Sequence, residues 1–291
     1  MAFWVIQSLN GLALGGLLFL LSSGFSLIFG LMRVANLTHG AYFMLGAYVG
    51  LSALGAGLDF ATALLAGGLA VALFGGLVER LILRRLAARP PAQRALAQVL
   101  VTLGLAFIIA DGCLWIWGGD PMPLPVPAAL GGAVRAFGFV FPFYRLVVVV
   151  IALLVALALW LGLERTRVGA MIRAGVDDME MAAGMGLPVS RLFTTVFCLG
   201  AALAGMGGVL GGPILSVYPG LDTDMLPLAL VVVILGGIGS LLGAFAGSFI
   251  IGFVYTFGQT LLPDLAYVIL FLPMVLVLVL RPRGLFGSRS A

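Results

Sequence analysis

The sequence contains no lysine, one histidine and two cysteines, and each shortage excludes a kind of chemistry. All 15 basic residues are arginine, so a phosphate-binding P-loop and a Schiff base are excluded, since both need a lysine side chain. One histidine, His39, cannot build a multi-histidine metal site. Cys113 and Cys198 stand in separate apolar stretches, so we expect neither a zinc site nor a disulfide framework.

Charge is also scarce. Only 9% of the 291 residues are charged and 63% are hydrophobic, whereas about a quarter of an average soluble protein is charged. So few charges cannot cover a water-facing surface of this size, but a surface that faces lipid needs almost none. We therefore predict an integral membrane protein. The net charge of +4 indicates membrane orientation rather than a nucleic-acid partner, because the arginines stand at the ends of apolar runs.

Charge-free runs of about 20 residues, the length that crosses about 30 Å of hydrocarbon, recur along the chain. They are residues 1–32, 34–58, 60–78, 96–119 (interrupted by Asp111), 146–163, 193–217, 225–263 and 265–280. Residues 225–263 are nearly twice the spanning length and predict two segments, with a break near Gly236, Gly237 and Gly239. We predict an all-α, polytopic transmembrane helix bundle of eight or nine membrane segments, with glycine-rich discontinuous helices, as one domain over residues 1–291. The first run lacks the charged start and cleavage site of a signal peptide, so we expect it to be retained.

Arginine clusters orient the bundle, because short arginine-rich loops stay in the cytoplasm. Three clusters belong inside: Arg80, Arg84, Arg85, Arg89 and Arg94; Arg165, Arg167, Arg173 and Arg191; and Arg281, Arg283 and Arg289. This places the N-terminus and a proline-rich irregular segment, residues 118–145, outside. The C-terminal arginines then require three full spans, or a re-entrant piece, after the span at 193–217.

A polar segment lies between the first two apolar runs and carries Asn36, Thr38, His39 and Tyr42. Polar groups at membrane depth are costly unless they face protein or water, so such a cluster often marks a translocation pathway. A cytoplasmic turn in which His39 caps the next helix explains the same residues equally well, and both interpretations stay open.

Asp111 is the only acidic residue inside a predicted span. It is a candidate pathway residue or proton relay, but its place about two turns before Gly118 also fits an outer boundary within reach of water. Enzyme activity is not expected, because no nucleophile and base, carboxylate pair or metal cluster occurs within the spans. A secondary transporter that uses Asp111 or His39 as a proton relay remains an alternative.

The cytoplasmic loop over residues 164–192 is long for a chain with otherwise short connections, and long loops often carry function. Within it, Asp177 as N-cap and Glu180 as its capping-box partner predict a helix of two to three turns that Gly186 and Pro188 end. An amphipathic helix held between two spans suits docking into a groove of another protein. Resting on the membrane surface is the weaker alternative, because the helix begins with acidic residues and has no basic ones.

Small residues recur every four positions at Gly239, Gly243 and Gly247, which predicts one helix face that allows close backbone contact. Such a face serves tight packing within the bundle, a subunit interface or a moving gate.

Three blocks of sequence together resemble one family. They are Asn36-Leu-Thr-His39-Gly40 with Gly46-Ala-Tyr48; the loop over residues 173–187 followed by Phe197-Cys-Leu-Gly-Ala-Ala-Leu-Ala-Gly205-Met-Gly207-Gly208; and Leu235-Gly236-Gly237-Ile-Gly239-Ser240 with Gly243 and Gly247. In this order they resemble LivH-like permease subunits of branched-chain amino acid ABC importers. Two features depart from the family's sequence pattern. Thr38 stands where the family usually has alanine, and the loop is methionine-rich and has an extra glycine, Gly184.

The resemblance implies a multi-pass permease of the bacterial inner membrane that binds no cofactor and is powered by ATP in partner subunits. The implied partners are a second, related permease in a heterodimer, two cytoplasmic ATPase subunits and a periplasmic binding protein. The implied mechanism is alternating access, for branched-chain or other hydrophobic amino acids, with urea, amides and aromatic acids as alternative substrates. The residues assigned to a coupling helix that contacts an ATPase are Arg173, Asp177, Asp178, Glu180, Ala182, Ala183, Gly186 and Leu187. Gly236, Gly237, Gly239, Gly243 and Gly247 are assigned to helix packing or a gate.

Overall fold

The computed structural model describes residues 2–32, 36–87, 90–136 and 139–287, and most of them are helical. The helices are α1 (Ala2–Met32), α2 (His39–Gly55), α3 (Phe60–Val78), α4 (Arg84–Ala87), α5 (Pro91–Trp117), α6 (Phe143–Arg165), α7 (Arg167–Asp177), α8 (Met179–Gly184), α9 (Val189–Leu215), α10 (Leu221–Gly236), α11 (Leu241–Leu261) and α12 (Ala266–Leu280). A π-helical turn, Glu79–Leu83, joins α3 to α4. The predicted all-α class is confirmed.

Six helical stretches of the described chain are long and apolar enough to cross a membrane. They are Ala2–Gly30, Phe60–Leu86, Gln93–Trp117, Phe143–Arg165, Val189–Leu215 and Leu241–Leu261. Helices α2, α10 and α12 have 17, 16 and 15 residues. At 1.5 Å per residue these three rise about 23–26 Å, which is less than the hydrocarbon thickness of about 30 Å.

The centre of the bundle is made by α1 and α9. In their most apolar windows 83% and 61% of the residues are buried, against 22% for α5 and 17% for α6. Helix α1 packs against α6, α9 and α11, and α9 also packs against α2 and α3. A Cβ on Gly24 of α1 would lie 2.4 Å from the carbonyl oxygen of Gly200 on α9, so glycine at this position permits the contact.

The segment between α5 and α6 is more regular than predicted. It contains a 3₁₀ turn, Ala128–Leu130, and a hairpin of β1 (Ala133–Ala136) and β2 (Phe139–Pro142), in which Val134 lies opposite Phe141. The expected irregular segment is therefore wrong in part. The side chain of Phe141 is 1% exposed, so burial of this aromatic ring anchors the hairpin to the bundle.

The described arginines of the three predicted cytoplasmic clusters lie in or beside three segments that connect or follow helices. One segment joins α3 to the start of α5, one joins α6 to the start of α9, and one follows α12. Arg89 and Arg289 lie outside the described residues. Helices α10, α11 and α12 follow α9 before the C-terminal arginines are reached.

Candidate translocation pathway and coupling segment

A tight turn over residues 36–38 leads into α2 and is fixed to α5. The backbone N–H of Thr38 donates to Oδ1 of Asn36 at 3.1 Å, and the N–H of His39 donates to the Asn36 carbonyl oxygen at 3.1 Å. The Thr38 hydroxyl donates to the carbonyl oxygen of Thr102 at 2.8 Å. Asn36 and Thr38 are both buried. The Thr38 hydroxyl is thus held by the backbone of α5.

His39 is the first residue of α2, and its ring lies against α1. Its Nε2 is 3.0 Å from the Leu21 carbonyl oxygen, and its ring stacks on Phe25 with centroids 5.3 Å apart. Because a carbonyl oxygen only accepts, Nε2 carries the proton and Nδ1 is the acceptor. Nδ1 has no hydrogen-bond partner among the residues that the structure describes, and the side chain is fully buried.

Tyr42 lies one turn after His39 and is also fully buried. Its ring contacts Phe74 of α3 and Phe197 of α9 edge to face, with centroids 6.3 Å apart in both pairs. The structure therefore gathers Asn36, Thr38, His39 and Tyr42 where α1, α2, α3, α5 and α9 meet.

Two buried serines lie on α1, the helix that His39 contacts. The hydroxyls of Ser22 and Ser26 are buried and make no hydrogen bond within the described part of the chain. Buried hydroxyls are nearly always hydrogen-bonded in folded proteins, so a buried hydroxyl without a partner is a candidate for a functional role. In sequence the two serines follow Leu21 and Phe25, which contact His39. We define the polar cluster as Asn36, Thr38, His39 and Tyr42.

Asp111 does not belong to this cluster. It is exposed on α5, on a helix surface that also carries Ile108, which is 68% exposed, and Trp115, which is 89% exposed. A different acid, Asp222 in the first turn of α10, is 6% exposed, and its Oδ1 makes no hydrogen bond within the described chain. Asp222 was not among the predicted site residues, because the charge-free run that predicts this span begins three residues later, at Met225.

The connection between α6 and α9, which the sequence predicts to be cytoplasmic, contains two short helices, not one. Helix α7 ends at Asp177, and α8 runs over Met179–Gly184 only. The N-cap of α8 is Asp178, whose side chain accepts from the N–H of Met181 at 2.9 Å. The predicted cap at Asp177 is therefore wrong, because the N–H of Asp178 donates to Ala174 and completes α7 first. The side chains of Asp177 and Glu180 lie outside the described residues.

Helix α8 ends in a Schellman motif. The N–H of Leu187 donates to the carbonyl oxygen of Ala182 at 3.1 Å, and that of Gly186 donates to Ala183 at 2.9 Å. Gly186 has φ +83°, a left-handed conformation that glycine adopts without a steric penalty. Ala182 is 1% exposed, whereas Ala183 is exposed. One side of α8 thus rests on its own chain, and the other faces away.

Arg173 binds the end of α6. Its guanidinium donates to the carbonyl oxygen of Leu163 and pairs with Glu164 at 3.5 Å. Thr166 caps α7 by accepting from the N–H of Gly169 at 3.0 Å. Arg173 therefore fixes α7 against the end of α6.

A buried acid, Glu79, joins the C-terminal end of α3 to α9, and no sequence pattern marked it as a candidate. Its side chain is 5% exposed and pairs with Arg84 at 3.4 Å. The Thr194 hydroxyl donates to Oε2 of Glu79 at 2.7 Å, and Arg84 donates to the Thr194 hydroxyl at 2.7 Å and to the Ser190 carbonyl oxygen at 3.1 Å. Arg84 follows Glu79 by five residues, a spacing that the π-helical turn brings together.

Comparison with known proteins adds an independent observation. Residues 7–278 match the family model described as "Branched-chain amino acid transport system / permease component". The chain belongs to this family.

Curated relatives agree with this assignment. The high-affinity branched-chain amino acid transport system permease protein BraD of Pseudomonas aeruginosa is 27% identical over 297 residues, covering 97% of this chain and 95% of BraD. The high-affinity branched-chain amino acid transport system permease protein LivH of Salmonella typhimurium is also 27% identical over 297 residues, covering 98% of this chain and 96% of LivH. As a member of this family, the chain is a multi-pass protein of the bacterial inner membrane.

A solved structure shares the fold. PsaBC from Streptococcus pneumoniae in complex with Fab matches with a TM-score of 0.50, over 93% of this chain and 89% of that chain. At 14% sequence identity the likeness concerns the fold alone.

The glycine-rich turn of the permease joins α10 to α11. A Cβ on Gly236 would lie 2.2 Å from the Gly243 carbonyl oxygen, and one on Gly243 would lie 2.2 Å from that of Gly236. Gly247 lies opposite the Val232 backbone at 2.8 Å by the same measure. Gly239 belongs to the turn, not to α11, so the predicted single face of Gly239, Gly243 and Gly247 is wrong in its first member.

The end of α10 is also closed by the C-terminal segment. The N–H groups of Leu285 and Phe286 donate to the carbonyl oxygens of Leu235 and Gly236, both at 2.9 Å. Gly237, with φ +102°, ends α10, and a Cβ there would lie 2.7 Å from the nitrogen of Gly287. The turn after α10 is thereby held between α11 and the C-terminal segment.

Proposed function

We propose that this chain is the membrane-spanning subunit of an ABC importer for branched-chain or other hydrophobic amino acids, and that separate subunits hydrolyse the ATP. The observation that carries the proposal is the family match over residues 7–278. The absence of lysine supports ATP hydrolysis by separate subunits, because a P-loop ATPase needs a lysine side chain.

The proposed topology has nine crossings, with the N-terminus in the periplasm. The six long helices cross together with α2, α10 and α12, whose short lengths are completed by non-helical segments at their ends. Three crossings after α9 return the C-terminal arginines to the cytoplasm, as the arginine distribution requires. Non-helical backbone at membrane depth is tolerated where it is buried in protein, and Asn36 and Thr38 before α2 are buried.

The proposed coupling helix is α8. Its side chains Met181 and Met185 are 63% and 67% exposed on the cytoplasmic side, while Ala182 anchors it to its own chain. Exposed methionines suit an adaptable apolar contact, such as a groove on an ATPase subunit. The Schellman motif leads from α8 directly into α9, so a displacement of α8 reaches the centre of the bundle.

The polar cluster is the proposed inner part of the translocation pathway. Its members lie at the junction of five helices, and Nδ1 of His39 has no hydrogen-bond partner in the described chain. Alternating access would come from rigid-body movement of helices around this junction. The weakly buried helices α5 and α6 offer surfaces to a second, related permease, and the segment over residues 118–142 offers one to a periplasmic binding protein.

Substrate range tests the proposal. The full assembly is expressed in a strain that lacks its own leucine uptake, and entry of labelled L-leucine is measured in competition with other solutes. We expect L-isoleucine and L-valine to compete, and urea, acetamide and benzoate not to. Uptake of one of the last three with no uptake of any hydrophobic amino acid would refute the proposed substrate class.

A further inference from the structure

A cavity of about 360 Å³ lies among α1, α6, α11 and the start of α10, on the side assigned to the periplasm. This volume is within the range of roughly 300–1,000 Å³ that is usual for small-molecule sites. Arg145 and Asp224 both line the cavity, so groups of opposite charge face the same space. The polar cluster described above contributes no residue to it.

Arg145 is held in place by a chain of side-chain hydrogen bonds. Its guanidinium donates to Oδ1 of Asn10, and Asn10 donates to Oε1 of Gln7 at 3.2 Å. Gln7 in turn donates to the Thr260 hydroxyl at 2.9 Å, which ties α1 to α11. A guanidinium has five N–H donors in a planar fork that matches a carboxylate, and the bond to Asn10 uses one of them.

Asp224 is held in a similar way. Its Oδ2 accepts from the Tyr218 hydroxyl at 2.5 Å. A carboxylate has about four lone-pair sites, so it retains capacity for a cation. The two ion pairs found in the described chain, Arg84 with Glu79 and Arg173 with Glu164, include neither Arg145 nor Asp224.

One part of the cavity wall is aliphatic, and the remainder carries polar side chains, among them Tyr255, Thr256 and Gln259. Leu14, Ile214, Leu228 and Leu270 line the aliphatic part, and Leu228 and Leu270 are 3% and 0% exposed. The cavity therefore combines an anchored cation, an anchored anion and an apolar surface.

We propose that this cavity is an entry site for an aliphatic amino acid in its zwitterionic form. The substrate carboxylate binds Arg145, the ammonium group binds Asp224, and the side chain packs against the leucines and Ile214. The inference rests on the proposed transport function and assigns a substrate-binding site to it. Urea and aromatic acids fit poorly, because they lack the ammonium group that Asp224 would bind.

Protection of an introduced cysteine tests the site directly. Thr256→Cys, on the cavity wall, is combined with Cys113→Ser and Cys198→Ser, and the whole transporter assembly is placed in nanodiscs. We expect L-leucine to slow alkylation of this cysteine in a concentration-dependent way. Arg145→Gln and Asp224→Asn should each raise the half-protecting leucine concentration about tenfold, because each removes one charge-assisted contact. 4-Methylpentanoate and 3-methylbutylamine, which each lack one charged group, should show a similar loss on the parent protein.

Arg80→Gln and Asp264→Asn are the controls. Both residues are exposed, lie outside the cavity lining and belong to no surface assigned above to a partner subunit, so protection should be unchanged. If Arg145→Gln does not assemble, Asp224→Asn and the two leucine analogues, 4-methylpentanoate and 3-methylbutylamine, still test the site on folded protein.

Three results would overturn the site. The first is that L-leucine gives no protection. The second is that L-leucine protects Arg145→Gln and Asp224→Asn as well as it protects the parent protein. The third is an alkylation rate that depends on phosphatidylethanolamine in the nanodisc but not on leucine. The last would assign the cavity to a lipid headgroup, which also carries an anion and an ammonium group. ATP-dependent leucine uptake by the same parent protein separates the two proposals. Uptake without protection refutes the site alone, whereas an intact assembly that transports no hydrophobic amino acid refutes the transport function.

Discussion

The hydroxyl of Thr194 donates a 2.7 Å hydrogen bond to the buried carboxylate of Glu79, across 115 residues of sequence. Glu79 opens the π-helical turn at the C-terminal end of α3, and Thr194 lies in the second turn of α9, just beyond the proposed coupling segment. This contact connects the element next to the proposed ATPase contact with a second membrane helix. It links the beginning of α9, close to the proposed coupling helix, to the end of α3.

Thr194→Val should weaken this link. Removing a hydrogen bond to a buried carboxylate is expected to destabilise the fold by about 1.5–3 kcal/mol. Thr195→Val is the matched control, because the exposed Thr195 hydroxyl bonds only the Arg191 carbonyl oxygen in its own helix, and a change within about 0.5 kcal/mol is expected. Unfolding of the two variants in detergent gives the comparison. Equal stability of both would show that the Glu79 contact contributes little.

The exposed methionines of α8 should determine ATPase binding. We expect Met181→Arg with Met185→Arg to abolish co-purification of the ATPase subunits and to leave the fold intact, because both side chains face away from the bundle. Val168→Arg is the control, since Val168 is 47% exposed on the neighbouring helix α7. Retained ATPase in the double variant, with or without loss in Val168→Arg, would place the coupling contact elsewhere.

The glycine contact between α10 and α11 should be intolerant of a methyl group. A Cβ on Gly243 would lie 2.2 Å from backbone, so Gly243→Ala forces the two helices apart and should cost about 1–3 kcal/mol, as overpacking does. Gly104→Ala in α5 meets no atom within 4 Å and should be neutral or stabilising by up to about 1 kcal/mol through helix propensity. Thermal unfolding of both variants measures the difference, and equal midpoints would contradict the close contact.

Asp111 should be dispensable for energy coupling. It is exposed on α5 and lies apart from the polar cluster, so Asp111→Asn should leave uptake and its dependence on pH unchanged. Uptake measured from pH 5.5 to 8 compares the variant with the wild type. Loss of uptake with a shifted pH profile would instead favour a proton relay.

The carboxylate of Asp59 caps α3 and should make stability depend on pH. Hydrogen bonds from the Thr62 hydroxyl, and from the N–H groups of Thr62 and Ala61, lower the pKa of Asp59 below its ordinary value. Because the pKa is lower in the folded state, this stabilisation is present above the pKa of the unfolded chain and is lost as the pH falls through the folded pKa. Asp59→Ala should therefore lower the unfolding midpoint at pH 7 and lower it less at pH 3. An equal loss at both pH values would contradict a role for the charged form.

The membrane helices could be predicted because their signal is local. Charge-free runs at 96–119, 146–163 and 193–217 correspond to α5, α6 and α9 within a few residues, since most of these helix ends lie next to a charge, glycine or proline; α9 ends at Leu215, before Ser216. The run at 34–58 gave a helix that begins later, at His39, because the buried turn over residues 36–38 contains no charge that would mark it. The division between α7 and α8 was missed because Asp177 and Asp178 are equally good caps, and only the hydrogen bond to Ala174 separates them.

The candidate sites depend more on contacts between distant residues. The polar cluster could be recognised from Asn36 to Tyr42, because those residues are close in sequence. The Glu79 contact needs the π-helical turn and a partner 115 residues away, and the entry cavity needs Arg145 and Asp224 from separate helices. Local periodicity carries no information about such pairs.

ATP-dependent transport by the complete assembly tests the central claim most directly. In proteoliposomes with the two ATPase subunits, the second permease and the binding protein, we predict uptake of labelled L-leucine that needs ATP. The same uptake should be lost with Met181→Arg and Met185→Arg together and kept with Val168→Arg. Leucine uptake by this chain without any ATPase subunit, driven by a proton gradient, would contradict the account.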